Sequence, residues 1–279
     1  MKRCFIAFFA VVLLMFSCTG KKSGQLDEVP ADSVADSIDT TEVDSLEMLI
    51  AETPMPRAAD AMFDDFIFNF VANKKLQKER VVFPLRTREG EKVSMTEKDQ
   101  WKMEHFFMRQ GYYTLLFDSD EQMSHQKDTA ISEAIVEKIQ LRKKRVTSYY
   151  FVRIKGAWMM KEVVVTPIAE NPNASFLEFY QRFVTDSAYQ VAHLNKTVTF
   201  ISPDPDDDFT MMEGVITPET WSAFAPTLPS KVLYNIVYGK PKPVEDQMIF
   251  LMRGVANGLE MELRFKKYGT RWLLMKMAT

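Results

Sequence analysis

The chain has 279 residues, of which 46% are hydrophobic, with 35 Lys and Arg against 38 Asp and Glu for a net charge of −3. That balance supports a sizeable core and argues against a disordered chain or a strongly basic nucleic-acid binder. The cysteines, Cys4 and Cys18, cannot staple a fold, and no H-E-x-x-H, G-x-S-x-G, C-x-x-C or phosphate-cradling glycine loop is present.

Residues 1–17 read as a secretory signal: Lys2 and Arg3 form the charged end, and an apolar run of 12 residues, Phe5 to Phe16, is too short to span a bilayer. Leu14-Met15-Phe16-Ser17-Cys18 resembles a bacterial lipobox, in which the cysteine becomes the first mature residue and carries lipid. It departs from the usual pattern at Met15 and Phe16. The other reading is an ordinary cleaved signal that happens to hold a cysteine. Signal removal takes Cys4 and acylation uses Cys18, so no free thiol remains. Thr19-Gly20-Lys21-Lys22 lacks the acidic residues that resemble a surface-export signal, which predicts an outer-membrane lipoprotein facing the periplasm.

Residues 18–56 form a lipidated, disordered tether. From 23 to 56 there are nine Asp or Glu, no Lys or Arg and no aromatic residue, so no core can form. As a flexible coil it spans roughly 35 Å. Asp32-Ser33-Val34, Asp36-Ser37-Ile38, Asp39-Thr40-Thr41 and Asp44-Ser45-Leu46 are similar to the O-glycosylation triplet of exported Bacteroidota proteins, which marks Ser33, Ser37, Thr40 and Ser45 as candidate acceptors. Without the four basic and nine acidic residues of 1–56, the remainder is near neutral, at about +2, which again argues against nucleic acid as a partner.

Beyond the tether the sequence repeats. Trp101 recurs as Trp221 and Trp158 as Trp272, at separations of 120 and 114, and the stripe Phe63/Phe66/Phe70/Val71 recurs as Phe176/Phe179/Phe183/Val184 at an offset of 113. Three landmarks in one order predict two copies of a domain, 57–168 and 174–279. Each copy opens with a helix: Met62, Phe63, Phe66, Ile67 and Phe70 share one face in the first, and Ser175-Phe176-Leu177-Glu178 reads as a capping box in the second. Strands follow near 81–86, 112–118, 133–142, 148–155 and 158–167, then near 197–202, 210–216, 246–254, 259–267 and 271–277. Tyr149-Tyr150-Phe151-Val152 is apolar on both faces, which requires cover from the helices on one side and from the second copy or a partner on the other. An interdomain interface and a monomer with pseudo-dimeric repeats are expected.

The hairpins Phe151-Val152-Arg153-Ile154-Lys155-Gly156-Ala157-Trp158 and Leu263-Arg264-Phe265-Lys266-Lys267-Tyr268-Gly269-Thr270-Arg271-Trp272, in helix-first domains of this length, resemble the nuclear transport factor 2-like cone. With tether, lipobox and duplication, the chain is similar to a family of Bacteroidota lipoproteins made of two such domains. The resemblance implies an α+β fold of two tandem cones, each with N-terminal helices packed on a curved antiparallel sheet. It implies no activity, because this fold hosts isomerases, dehydratases, binding modules and assembly domains.

Candidate pocket residues are His105, Tyr150 and His193; His125 lies in a polar run and reads as a loop. No catalytic residue, metal site or cofactor is assigned. Asp204-Pro205-Asp206-Asp207-Asp208 imitates the start of a calcium loop but has Phe209 and Val215 where glycine and glutamate are needed, so it reads as an acidic turn. Arg142-Lys143-Lys144-Arg145 reads as a solvated basic turn, and the 18 methionines read as adaptable core filling or the lining of a soft pocket. The expected function is a non-enzymatic, membrane-anchored binding or assembly module with an envelope protein or small apolar ligand as partner. The alternative is an enzyme or carrier using one cone as a pocket for a small apolar molecule.

Overall fold

The computed structural model describes residues 54–279; Cys18 and the tether sites Ser33, Ser37, Thr40 and Ser45 lie outside the described residues. Helix α1 (Phe63–Ala72) buries Phe63, Phe66, Ile67, Phe70 and Val71, and its first turn carries Asp64 and Asp65, where the helix dipole favours acids. Helix α2 (Lys74–Arg80) is capped by the Asn73 side chain, which accepts the Leu76 N–H at 2.9 Å. Strands β1 (Val81–Glu89), β2 (Lys92–Thr96) and β3 (Tyr112–Phe117) follow, then the short helix α3 (Asp120–Ser124), then β4 (Glu133–Gln140), β5 (Arg145–Ile154) and β6 (Ala157–Pro167). The second half comprises α4 (Ala174–Phe183), α5 (Ser187–Ala192), β7 (Leu194–Asp204), β8 (Asp207–Ile216), β9 (Val232–Tyr238), β10 (Gln247–Gly254), β11 (Glu260–Tyr268) and β12 (Arg271–Ala278).

The capping box expected at Ser175 does not form. Helix α4 starts two residues earlier than that box places it, after Asn173, which makes no side-chain cap. The Asn173 N–H is instead taken by the Asn171 side chain at 2.9 Å, so the helix start is set from upstream of Pro172. Lys155 and Gly156, at φ 52° and 85°, form the two-residue turn between β5 and β6, the left-handed pair a tight hairpin requires.

The strands form two six-stranded sheets, β2-β1-β6-β5-β4-β9 and β3-β10-β11-β12-β7-β8. Read from its opposite end, the second order is the first with each strand advanced by six and β9 replaced by β3. All pairings are antiparallel except β1 with β6 and β7 with β12. Each sheet therefore draws five strands from one half of the chain and one from the other: β3 closes against β10, and β9 closes against β4. Bulges fall at matching places, between Tyr150 and Phe151 and between Arg264 and Phe265, where they add local twist.

The aromatic packing repeats as well. Phe151 lies 5.3 Å from both Phe63 and Phe70, and Phe265 lies 5.3 Å from Phe176 and 5.4 Å from Phe183. Trp158 and Trp272 meet Phe63 and Phe176 edge-on at 4.9 and 5.4 Å, and each indole sits under a cation, Arg153 or Lys267. The third landmark differs: Trp101 is half-buried against Phe83, whereas Trp221 is buried and donates its N–H to Gln190 at 2.8 Å.

Two buried clusters meet where the sheets exchange strands. Leu115 and Phe117 of β3 join the first cluster while Leu116 between them joins the second, along with Ile139 and Val146 from the outer face of β4 and β5. The exchange is pinned by polar groups. The Thr114 hydroxyl donates to the Tyr234 carbonyl at 2.8 Å, and the Leu116 N–H donates to Asn235 Oδ1 at 2.9 Å. Asn235 and Asn171 each donate an amide N–H to one oxygen of Glu137, at 2.8 and 2.7 Å. Burial pushes the Glu137 carboxyl up from its ordinary value, and these two hydrogen bonds oppose the rise. At the far end of β9 the Tyr238 hydroxyl donates to Asp64, whose carboxyl is also raised by burial.

Candidate functional site

One pocket of about 380 Å³ opens on the first sheet, between β4, β9 and the segment that follows Trp101. Its side walls are Met103, Glu104, His105 and Phe106, and its floor carries Lys138 and Tyr234, which are directly opposite one another in the β4–β9 ladder. The wall is irregular backbone with a specific anchor. Buried Gln77 of α2 accepts the Glu104 N–H at 3.1 Å and donates to the Glu104 carbonyl at 2.8 Å, so one amide side chain holds both backbone groups. Phe106 adopts φ 47°, a left-handed conformation uncommon outside glycine, and its buried ring packs 4.7 Å from Tyr149 and 6.0 Å from Phe70.

This anchoring aims Glu104 at the sheet. One carboxylate oxygen meets the Lys138 ammonium at 3.3 Å, and the other accepts the Tyr149 hydroxyl at 3.0 Å. The Lys138 ammonium also stands 5.7 Å from the centre of the Tyr234 ring. Burial works against the charge on Lys138, but the Tyr234 hydroxyl and Glu104 outweigh it and hold the ammonium above its ordinary pKa. Burial, reinforced by Glu104, pushes the Tyr149 phenol well up, and burial also raises Tyr234 against the opposing pull of Lys138. The site is thus a Lys138–Glu104 ion pair set between two phenols whose pKa values burial raises.

Of the sequence candidates, His105 lines this pocket. Tyr150 lies on the other face of β5 from Tyr149, half-buried, with Glu137, Arg88 and Glu162 as its charged neighbours. His193 ends α5 in the second half, where its ring Nδ1 stands 2.8 Å from the Tyr189 carbonyl and its ring stacks on Tyr189 at 3.7 Å. Asp204 and Asp207 flank the β7–β8 turn, where the Asp206 N–H bonds to Asp204, and the basic run forms the β4–β5 turn with Lys144 at φ 49°. Met160, Met248, Met252, Met261 and Met277 fill the cores. Among the described residues no three His, Cys, Asp or Glu converge as a metal site, and no helix is long and apolar enough to cross a membrane.

Glu104, Lys138, Tyr149 and Tyr234 were not flagged by sequence reasoning. A signal existed for one of them: Glu137-Lys138 places two charges inside the otherwise apolar strand Ala134 to Ile139. The second half does not repeat the set. Met252 occupies the place of Lys138 in the register, paired with Thr114 and Met261 where Lys138 is paired with Tyr234 and Thr147, and Leu263 stands where Tyr149 does.

The nearby crevice beside Glu137, lined by Leu116, Gln122, Asn173, Tyr238 and Lys242, has about 20 Å³ of free space, room for about one water.

No curated protein matches the chain. It is similar to an NTF2-like protein from Bacteroides fragilis, known from a crystal structure, with 41% identity over 81% of this chain and 98% of that one and a TM-score of 0.73. That likeness makes the fold NTF2-like and α+β. Residues 42–279 match the family described as a domain of unknown function (DUF4348). The chain therefore belongs to the DUF4348 family, an NTF2-like family found in Bacteroidota.

Proposed function

We propose that this protein is a non-catalytic binding module of the bacterial envelope, built as two tandem NTF2-like cones of which the first holds a small-molecule pocket and the second is a solid support. The observation that carries the reading is the contrast at one register position: a pocket of about 380 Å³ over Lys138 in the first sheet, and the buried side chain of Met252 in the second. That volume falls within the range of about 300–1,000 Å³ common to small-molecule sites. The matching strand orders and aromatic distances support the tandem reading, and the exchange of β3 and β9 supports a monomer with pseudo-dimeric halves. Both oxygens of Glu104 are engaged, so the carboxylate best placed to act as a base is occupied, which favours binding over catalysis.

In this reading Cys18 carries lipid, the chain is held at the outer membrane facing the periplasm, and Ser33, Ser37, Thr40 and Ser45 include glycan acceptors on the tether. One experiment tests the whole: native mass spectrometry of protein purified from its own host, beside a His105→Trp variant that fills the pocket. The expected wild-type mass exceeds the polypeptide by lipid, by glycan and by a non-covalent adduct, and only the adduct is missing from the variant. Wild type free of adduct, or an adduct retained equally by His105→Trp, overturns the pocket reading.

A further inference from the structure

We infer that the pocket takes a monocarboxylate with an apolar or aromatic body, an inference that rests on the binding reading above. Its polar groups are unevenly committed. Glu104, the pocket's carboxylate, has spent one oxygen on Lys138 and the other on Tyr149, so it offers little to a cationic guest. Lys138 carries three N–H donors, of which one meets Glu104, so donors remain for a ligand. Arg109 adds a second cation at the rim, and among the described residues it has no carboxylate partner. The positive charge of Lys138 and Arg109 therefore exceeds the negative charge of Glu104. The Lys138 side chain is only 27% exposed, so its attraction for an anion is screened less than that of a surface lysine.

The size of the excess selects the charge of the guest. Glu104, 3.3 Å from the Lys138 ammonium, cancels part of the local field and repels a dianion such as a phosphate monoester, whereas a single carboxylate needs only one ammonium N–H and the neutral Tyr234 hydroxyl. Phe106, Met103 and Val232 supply the apolar walls against which the body of the molecule packs.

The test is calorimetric titration of the full-length protein with three probes sharing one bicyclic body: 2-naphthoate, 2-naphthamide and 2-naphthylmethylammonium. The acid should bind at least about tenfold more tightly than the amide, the factor expected for one charge-assisted hydrogen bond, and the ammonium more weakly than either. Lys138→Met, which places in the first sheet the residue the second carries at Met252, should erase the preference for the acid over the amide. Lys138→Arg should keep the preference, which separates charge from mere packing. Equal binding of acid and amide, tightest binding of the ammonium, or a preference surviving Lys138→Met overturns the inference. If no probe binds, the molecule retained by host-purified protein decides. An anionic adduct supports the inference, and a neutral or cationic one overturns it while the pocket reading stands. With neither probe nor adduct bound, both readings fall.

Discussion

Replacing Asn235 by Ala should destabilise the protein out of proportion to the few atoms removed. Asn235 is fully buried on β9, where it accepts the Leu116 N–H from β3 and donates to Glu137 on β4, so one amide ties both sheets at the exchange. Losing it leaves a buried backbone N–H without a partner, at about 1–3 kcal/mol, and removes a hydrogen bond to a carboxylate, worth about 1.5–3 kcal/mol. An expected loss of about 3–5 kcal/mol is a large share of the 5–15 kcal/mol typical of a folded domain. The sign of its pH dependence also follows. The folded-state pKa of Glu137 is raised above the unfolded value near 4.5, so its contribution to stability is fully present below that value and is lost as pH rises through the raised one. Asn235 is one of the two donors opposing that rise, so Asn235→Ala raises the carboxyl further and its deficit shrinks as pH falls from neutral toward the unfolded value. Asn235→Asp sets a second carboxylate against Glu137 and should show the same trend more steeply. Urea unfolding followed by tryptophan fluorescence at neutral and mildly acidic pH measures both. A deficit of less than about 1 kcal/mol at neutral pH, or one that grows on acidification, refutes the reasoning.

Phe151→Ala and Phe265→Ala, buried to the same degree among matching rings, should each cost about 3–5 kcal/mol and agree within about 1 kcal/mol in urea unfolding. A much larger gap would show that the two cores are not energetically equivalent. Met252→Lys buries an ammonium without the Glu104 and Tyr234 that accompany Lys138, so it should lower the thermal midpoint more than Lys138→Met does. The reverse ranking would place the strain in the first sheet. Tyr238→Phe removes the hydroxyl that donates to buried Asp64 and should cost about 1.5–3 kcal/mol; an unchanged urea midpoint would mean that the bond adds nothing.

The core was legible because its signals are local and periodic. The phenylalanine stripes at one helical spacing, and a tryptophan after each hairpin glycine, name residues that the structure buries at matching register positions. Val232-Leu233-Tyr234-Asn235-Ile236-Val237-Tyr238 also has the composition of a strand, although the strands expected from the sequence do not include it. Its partner was not legible: β3 and β9 are both apolar strands with a buried polar residue, and nothing local states which sheet edge each closes. The site was hidden for a similar reason. Glu104 lies on a loop whose position is set by Gln77, 27 residues upstream. Tyr149 and Tyr150 differ only in strand parity, and in a strand apolar on both faces that parity is not written in the hydrophobic pattern.

The exchanged strands also constrain the order of events during synthesis. The sheet begun by β1 lacks its closing strand until β9 emerges, about a hundred residues after β4, or about 5–20 s at ordinary elongation rates. Until then the edge of β4 presents unpaired backbone beside the core residues Ala134 and Val136. A chain stopped at residue 168 should therefore remain protease-sensitive and sticky, and supplying residues 169–279 as a separate polypeptide should rescue it. Efficient folding of the first fragment alone would show that β9 is an addition to a finished sheet. If the edge does need β9, the polypeptide has a vulnerable interval in which a chaperone or holding factor, rather than the sequence itself, keeps that edge from pairing with another chain.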